Sequence, residues 1–162
     1  MKYILSAVCI ATFALSGCKK IESIPLQDYR PDVPITVTNA TDYRPGPAVR
    51  TSKAAGGIIS ITLEIPATSG RKIKQVTKVS ASTSYASLQN SSAAYNAAPI
   101  LPAANGLSVT FNTTLTEYFV KTAVTPNPPT SNLNLTRAFY FLITLDNDQQ
   151  IISYAVNVLV LD

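Results

Sequence analysis

The sequence predicts an all-β fold, specifically an antiparallel immunoglobulin-like β-sandwich of about seven strands. Several runs alternate apolar and polar residues with the period of two that half-buried strands show. No run has a convincing helical period of 3.6 residues, and prolines and glycines stand mainly between the apolar runs. Short strands separated by turn signals are typical of a two-sheet sandwich.

The first strands follow a proline-rich stretch. Residues 35–38 alternate in strand fashion, and residues 28–31 and 42–45 on either side both read Asp-Tyr-Arg-Pro. We interpret the two copies as matching turns that bracket the strand, with exposed Tyr/Arg contacts for a ligand as the alternative. Residues 58–65 form the clearest strand, because Ile59 and every second residue after it are apolar.

The middle of the chain is less regular. Residues 72–82 are rich in β-branched side chains, but their alternation breaks around Val76, which predicts a strand with a bulge. Residues 83–105 are rich in Ser, Ala and Asn and are interpreted as a long, weakly structured connection. Residues 107–111 predict another strand, and residues 115–124 fit either a strand or a short helical turn.

The strongest strand signal is at the C-terminus. Residues 138–145 and 150–161 are two long β-rich runs joined by the polar residues 146–149. This pattern predicts a hairpin. Both runs are apolar on two faces in places, so we expect them to lie centrally in the sheet.

The N-terminal segment has the pattern of a removable export signal. Lys2 precedes the apolar residues 3–15, and the small residues Ser16 and Gly17 precede Cys18. The apolar run is shorter than the roughly 20 residues that span a bilayer as a helix, so it is interpreted as a signal. The sequence thus predicts three parts, listed here: a removed signal peptide at 1–17, a proline-rich lipidated tether at 18–30, and the β-sandwich domain at 31–162.

The motif Leu15-Ser16-Gly17-Cys18 closely resembles the lipobox of bacterial lipoproteins. The resemblance implies a diacylglycerol thioether on Cys18, cleavage before it, and acylation of the new amino terminus. With the closing hairpin, the chain resembles small outer-membrane lipoproteins of Bacteroidota. In that group, acidic residues soon after the cysteine accompany export to the surface. Here only Glu22 qualifies, and it follows Lys19 and Lys20, so the periplasmic and outer sides of the outer membrane both remain open.

Charge gives little support to a nucleic-acid partner, and none is expected. The net charge is only +4, and the single basic cluster, residues 71–78, has no interleaved aromatic residues. We interpret the cluster as a solvated strand edge whose lysines discourage edge-to-edge pairing. A patch for anionic glycans or lipid headgroups is the alternative.

The residue types present exclude several catalytic chemistries. Histidine is absent, and Cys18 would carry lipid, so Ser-His-Asp, Cys-His and the usual zinc sites cannot be built. Glycosidase chemistry needs two carboxylates that flank one bond, and the spacing of the acidic residues brings no pair together. We expect no catalytic residue and no cofactor. The carboxylates considered are Glu64, Glu117, Asp146, Asp148 and Asp162.

Three groups of side chains are the remaining candidates for binding. Asp146 and Asp148 alternate as Ca²⁺ ligands do, but they are also ordinary turn residues, so a plain turn is preferred to a weak calcium site. Tyr85 and Tyr95 lie in the predicted connection, where both packing and stacking on sugar rings are open and packing is preferred. Tyrosines 140 and 154, on the two hairpin arms, are interpreted as packing residues.

The sequence therefore predicts a non-catalytic, lipid-anchored envelope protein that binds or scaffolds at the outer membrane. The membrane is its partner through the lipid, and a glycan or another envelope protein is the expected second partner. A glycan-binding accessory of a polysaccharide-utilisation system is the leading interpretation. A structural or adhesive pilin-like subunit is the alternative, and a carboxylate-dependent glycoside hydrolase is a distant third.

Overall fold

The computed structural model describes residues 33–90, 94–125 and 133–162. The predicted signal peptide, the lipidation site Cys18 and the tether at 18–30 lie outside the described residues, as does the first Asp-Tyr-Arg-Pro unit.

Strands dominate the described residues, so the predicted all-β class is confirmed. Two short α-helices and one 3₁₀ turn, Ala67–Ser69, accompany them. The strands are β1 (Thr36–Val37), β2 (Ala48–Ser52), β3 (Ile58–Glu64), β4 (Ile73–Ser82), β5 (Ser108–Thr114), β6 (Leu133–Asn134), β7 (Ala138–Leu145), β8 (Gln150–Ile152) and β9 (Asn157–Leu161). The helices are α1 (Ala86–Gln89) and α2 (Leu115–Thr122).

The strands form three three-stranded sheets. The first has the order β1-β3-β5 and is antiparallel, as is the third, β4-β7-β8. The second has the order β2-β9-β6, in which β9 pairs in parallel with β2 and antiparallel with β6. The predicted break in β4 is confirmed, because its register against β7 shifts on both sides of Val76.

One hydrophobic core is shared by all three sheets. Alternate residues of β3 point into it, so Ile59 and Ile61 are fully buried, and β7 contributes Phe139 and Phe141 in the same way. The ring of Phe111 on β5 lies 5.6 Å from that of Phe141, centroid to centroid. The first and third sheets therefore face each other across the core, and each such buried side chain contributes about 1.5–3 kcal/mol.

The segment after β5 is a helix, so the expectation that no segment has a helical period is wrong there. Thr114 caps α2, since its side chain accepts a hydrogen bond from the backbone N–H of Glu117 at 3.1 Å. Leu115 and Tyr118, three residues apart, both face the core. Of the two alternatives for residues 115–124, the helical one is therefore observed.

The C-terminal hairpin is observed, but it is shorter than predicted, because residues 150–161 do not form one strand. β8 ends at Ile152, and the hydroxyl of Ser153 then accepts the backbone N–H of Phe141 at 3.0 Å in place of a backbone carbonyl. A single bridge from Phe139 to Val156 follows before β9 joins the second sheet. The ladder is thus interrupted within the run that the sequence predicts as one strand.

The described part of residues 83–105 is more ordered than predicted. It contains α1, and a stretch beyond it runs along the outer edge of β4. The backbone groups of Val76 and Ile100 bond to each other, and the N–H of Tyr95 donates to the carbonyl of Val79 at 2.8 Å. The edge of β4 is therefore partly covered by chain, rather than protected only by its lysines.

Candidate functional site

A groove of about 610 Å³ opens where β4, β7 and the β8–β9 connection meet. Its walls include residues 45–47, Ser82 at the end of β4, Tyr140 on β7, and Tyr154 and Asn157 beside β9. We call it the tyrosine groove. Three other cavities of the described residues are smaller, at about 460, 280 and 50 Å³.

The two tyrosines reach the groove for different local reasons. Tyr140 points away from the core, because its neighbours Phe139 and Phe141 on β7 are fully buried. Tyr154 follows the interruption of the ladder and is 61% exposed, and the hydroxyl of Ser153 donates to its carbonyl oxygen at 2.9 Å. The break between β8 and β9 therefore positions an aromatic ring at the rim.

The loop on the opposite wall is held at both ends. The carboxylate of Asp42 accepts the backbone N–H groups of Tyr43 and Arg44 at 2.7 and 3.2 Å. On the far side of the loop, the N–H of Asn157 donates to the carbonyl of Pro47 at 2.9 Å. These bonds fix residues 45–47 against the start of β9.

The tyrosine groove is uncharged. Besides the two rings it presents hydroxyls and one side-chain amide, and no Asp, Glu, Lys or Arg is among the described residues that line it. Partly exposed aromatic faces beside neutral hydrogen-bonding groups suit a ligand with an apolar face and many hydroxyls. The polar groups are Ser82, Thr83, Thr136 and Asn157.

The two tyrosines proposed from the sequence as sugar-stacking residues have different surroundings. Tyr85 is 55% exposed at the start of α1, but it does not line the tyrosine groove. Tyr95 is only 7% exposed, and its ring packs edge-on against Phe111 and Phe139 at 5.8 and 5.4 Å. A buried ring with aromatic neighbours cannot stack on a sugar, so the packing alternative holds for Tyr95.

Tyr95 belongs to a closed chain of polar contacts with α2. Its hydroxyl bonds to that of Thr113 at 2.8 Å, and Thr113 in turn donates to the carboxylate of Glu117 at 2.7 Å. The ammonium of Lys121 lies 2.7 Å from that carboxylate and donates to the carbonyl of Tyr95 at 2.6 Å. Because Thr113 gives its proton to Glu117, the Tyr95 hydroxyl must be the donor in their shared bond.

These contacts shift two pKa values. Burial raises the pKa of Tyr95 to about 12. Hydrogen bonds from Lys121, and then from Thr113, lower the pKa of Glu117. Glu117 is therefore ionised at neutral pH and engaged on both oxygens, which does not suit a general acid.

The two hairpin aspartates face cations. A carboxylate oxygen of Asp146 lies 3.4 Å from the Arg71 guanidinium, and one of Asp148 lies 2.6 Å from the Lys74 ammonium. Within residues 33–90, 94–125 and 133–162, no three His, Cys, Asp or Glu side chains gather in a way that could hold a metal ion. The weak calcium alternative gains no support from this geometry.

No protein-family model, curated protein or solved structure matches the chain. In the part of the chain that the structure describes, no helix is long and apolar enough to cross a membrane.

Proposed function

We propose that this chain is a non-catalytic, lipid-anchored protein of the bacterial outer membrane whose β-domain binds a glycan in the tyrosine groove. The observation that carries the proposal is the groove itself, where Tyr140 and Tyr154 stand among neutral hydrogen-bonding groups. A sugar ring offers an apolar face for the aromatic rings and hydroxyls for Ser82 and Asn157. The protein would then act as a glycan-binding accessory of a polysaccharide-utilisation system.

The fold that we propose for the domain is an immunoglobulin-like β-sandwich. Two features support it: the facing first and third sheets, and the aromatic contacts between Phe111 and Phe141 in the core. β1 and β6 have two residues each, which leaves about seven strands of three residues or more as the main framework.

The anchor is proposed from the motif that ends at Cys18. Two or more acyl chains hold a protein on a membrane far more firmly than one, because each buried CH₂ contributes about 0.8 kcal/mol. We expect Cys18→Ser to abolish lipid labelling and to leave the signal uncleaved, as read from the intact mass. The control is Cys9→Ser, which removes the other cysteine and should be labelled and processed normally. If the Cys18→Ser protein is labelled and fractionates with membranes as the unaltered protein does, the proposal of a lipid anchor at Cys18 is wrong.

A non-catalytic role is supported by the state of the carboxylates. Glu117 is held ionised by Lys121, and Asp146 and Asp148 face basic side chains. A glycoside hydrolase needs a carboxylic acid that keeps its proton beside a second carboxylate. Turnover of any substrate in a broad glycoside screen would revive the enzyme as an alternative.

A structural or adhesive subunit is the competing proposal. One edge strand of each sheet, β1, β6 or β8, has only two or three residues, and such short edges oppose edge-to-edge assembly. The other edge strands of the first and second sheets, β5 and β2, have seven and five residues, and assembly through these edges is what the competing proposal requires. Affinity gels that contain starch, pectin or host-type glycans separate the two proposals. Retardation of the purified protein on one gel supports glycan binding. Unchanged migration on every gel, together with concentration-dependent oligomers in ultracentrifugation, supports the subunit.

A further inference from the structure

A second cavity, of about 460 Å³, adjoins the tyrosine groove, and Ser82 lines both. Lys121 and Arg137 line this second cavity, and none of the described residues in its lining is acidic. We call it the basic pocket. It lies where β4 ends and where the chain enters β7.

The backbone at Arg137 is fixed by a buried side chain. The hydroxyl of Tyr118, which is fully buried, accepts the N–H of Arg137 at 2.9 Å and donates to its carbonyl at 3.2 Å. Among the described residues, the guanidinium of Arg137 has no hydrogen-bond or ion-pair partner. The backbone at Arg137 is thus fixed, and its partly buried guanidinium has donors that no other described residue uses.

The other groups of the pocket add two further donors. Lys121 uses two of its three N–H groups on Glu117 and on the carbonyl of Tyr95, which leaves one. Ser82 accepts a bond from the N–H of Ser84 at 3.4 Å, so its own proton remains available. Glu117 offsets the charge of Lys121, and the net positive charge of the pocket is therefore that of Arg137.

We propose that the basic pocket receives the acidic group of a glycan whose neutral rings lie in the tyrosine groove. This inference rests on the proposed function and names its ligand class: an oligosaccharide with a carboxylate or a sulfate ester. Both groups offer two or more acceptor oxygens to the planar fork of Arg137. Ser82, common to both cavities, would contact the ligand where its neutral and acidic parts join.

The test compares ligands that differ only in charge. Calorimetry measures binding of partly methyl-esterified oligogalacturonides, which carry both neutral and acidic rings, and of the same oligomers fully methyl-esterified. A second arm uses sulfated galactan oligomers with their desulfated forms. The unaltered protein should prefer the charged member of at least one pair by about tenfold to a hundredfold, the equivalent of about 1.4–2.8 kcal/mol. The arm that shows the preference identifies carboxylate or sulfate. The preference should fall as salt is added, because salt screens the charge of Arg137.

Two variants of Arg137 test whether this residue causes the preference for the charged oligomer. Arg137→Gln should remove the preference for the charged oligomer and should still fold, since Tyr118 bonds to the backbone of residue 137 and not to its side chain. Arg137→Lys should keep part of the preference, because it keeps the charge and loses the fork. An unchanged preference in Arg137→Gln would overturn the inference.

The remaining outcomes separate this inference from the proposed function. Equal binding of charged and neutral oligomers, weakened by Tyr154→Ala, overturns the role of the basic pocket and leaves the groove as proposed. Binding that depends on Arg137 but not on Tyr154 supports the pocket and contradicts the groove. If no oligomer of either pair binds, this inference fails, and the proposed function is decided separately by the affinity gels with starch, pectin and host-type glycans.

Discussion

Lys121 contacts Tyr95 in two ways: its ammonium donates to the carbonyl oxygen of Tyr95 at 2.6 Å and lies 4.6 Å from the centroid of its ring. One contact fixes the backbone of Tyr95, and the other places a cation over its aromatic face. Because Tyr95 also bonds to β4 through its N–H, the lysine ties α2 to the chain that covers the sheet edge. This cross-link explains how a segment of weak local preference is held in place.

The buried phenol of Tyr95 should make the domain sensitive to alkali. Its folded pKa is about 12, and the ordinary value is 10.0. Between these values the unfolded chain loses the proton first and binds fewer protons, so stability falls as pH rises. Two pKa units correspond to roughly 2–3 kcal/mol. Urea denaturation from about pH 9 to about pH 11 measures the slope, and Tyr95→Phe should flatten it. Equal slopes in the two proteins would contradict the assignment.

The hydroxyl of Tyr118 should contribute measurably to stability, because it satisfies two backbone groups of Arg137. We expect Tyr118→Phe to lower the free energy of unfolding by about 1–3 kcal/mol, since it leaves those groups without their partner. Chemical denaturation gives the value. Tyr140→Phe, which removes a hydroxyl from a partly exposed ring, is the control and should change stability by less than about 0.5 kcal/mol. Equal midpoints for the two variants would show that the Tyr118 bonds contribute nothing.

The start of α2 depends on Thr114. Its side chain accepts the N–H of Glu117, one of the donors that the first turn of a helix leaves without an internal partner. Thr114→Ala should destabilise the domain by about 1 kcal/mol. Thr116→Ala, two residues further on an exposed position of the same helix, should be neutral within about 0.5 kcal/mol. A Thr114→Ala protein that is as stable as the Thr116→Ala protein would show that the cap contributes nothing.

The alternation of apolar and polar residues was sufficient to predict the position of a strand where that strand has one buried face. The alternation in residues 58–65 predicts β3 within one residue of its observed end, and residues 138–145 match β7. The spacing Thr114-x-x-Glu117 before an apolar run is also a helix-start signal. The β-branched and aromatic residues around it favour a strand. The sequence therefore leaves both a strand and a short helical turn open for residues 115–124.

The tyrosine groove could not be predicted in the same way, because it depends on a change in which residues are buried between β8 and β9. Before the break, the odd-numbered residues Ile151 and Ser153 are buried. After it, the even-numbered residues Val156 and Val158 are buried instead. The shift marks the end of one pairing, but only the fold shows that the released chain joins β2 in parallel, some hundred residues away in sequence. The burial of Tyr95 is equally non-local, since it depends on bonds to β4 and α2.

Binding of neutral oligosaccharides by two matched tyrosine variants tests the central claim most directly. Tyr154 and Tyr85 are 61% and 55% exposed, and only Tyr154 lines the tyrosine groove. Calorimetry with malto-oligosaccharides and methyl-esterified oligogalacturonides should show binding to the unaltered protein by one of them. Tyr154→Ala should weaken it by about tenfold, the equivalent of about 1.4 kcal/mol, with no change in Tyr85→Ala. Undiminished affinity in Tyr154→Ala, or a loss confined to Tyr85→Ala, would contradict the assignment of the tyrosine groove as the binding site.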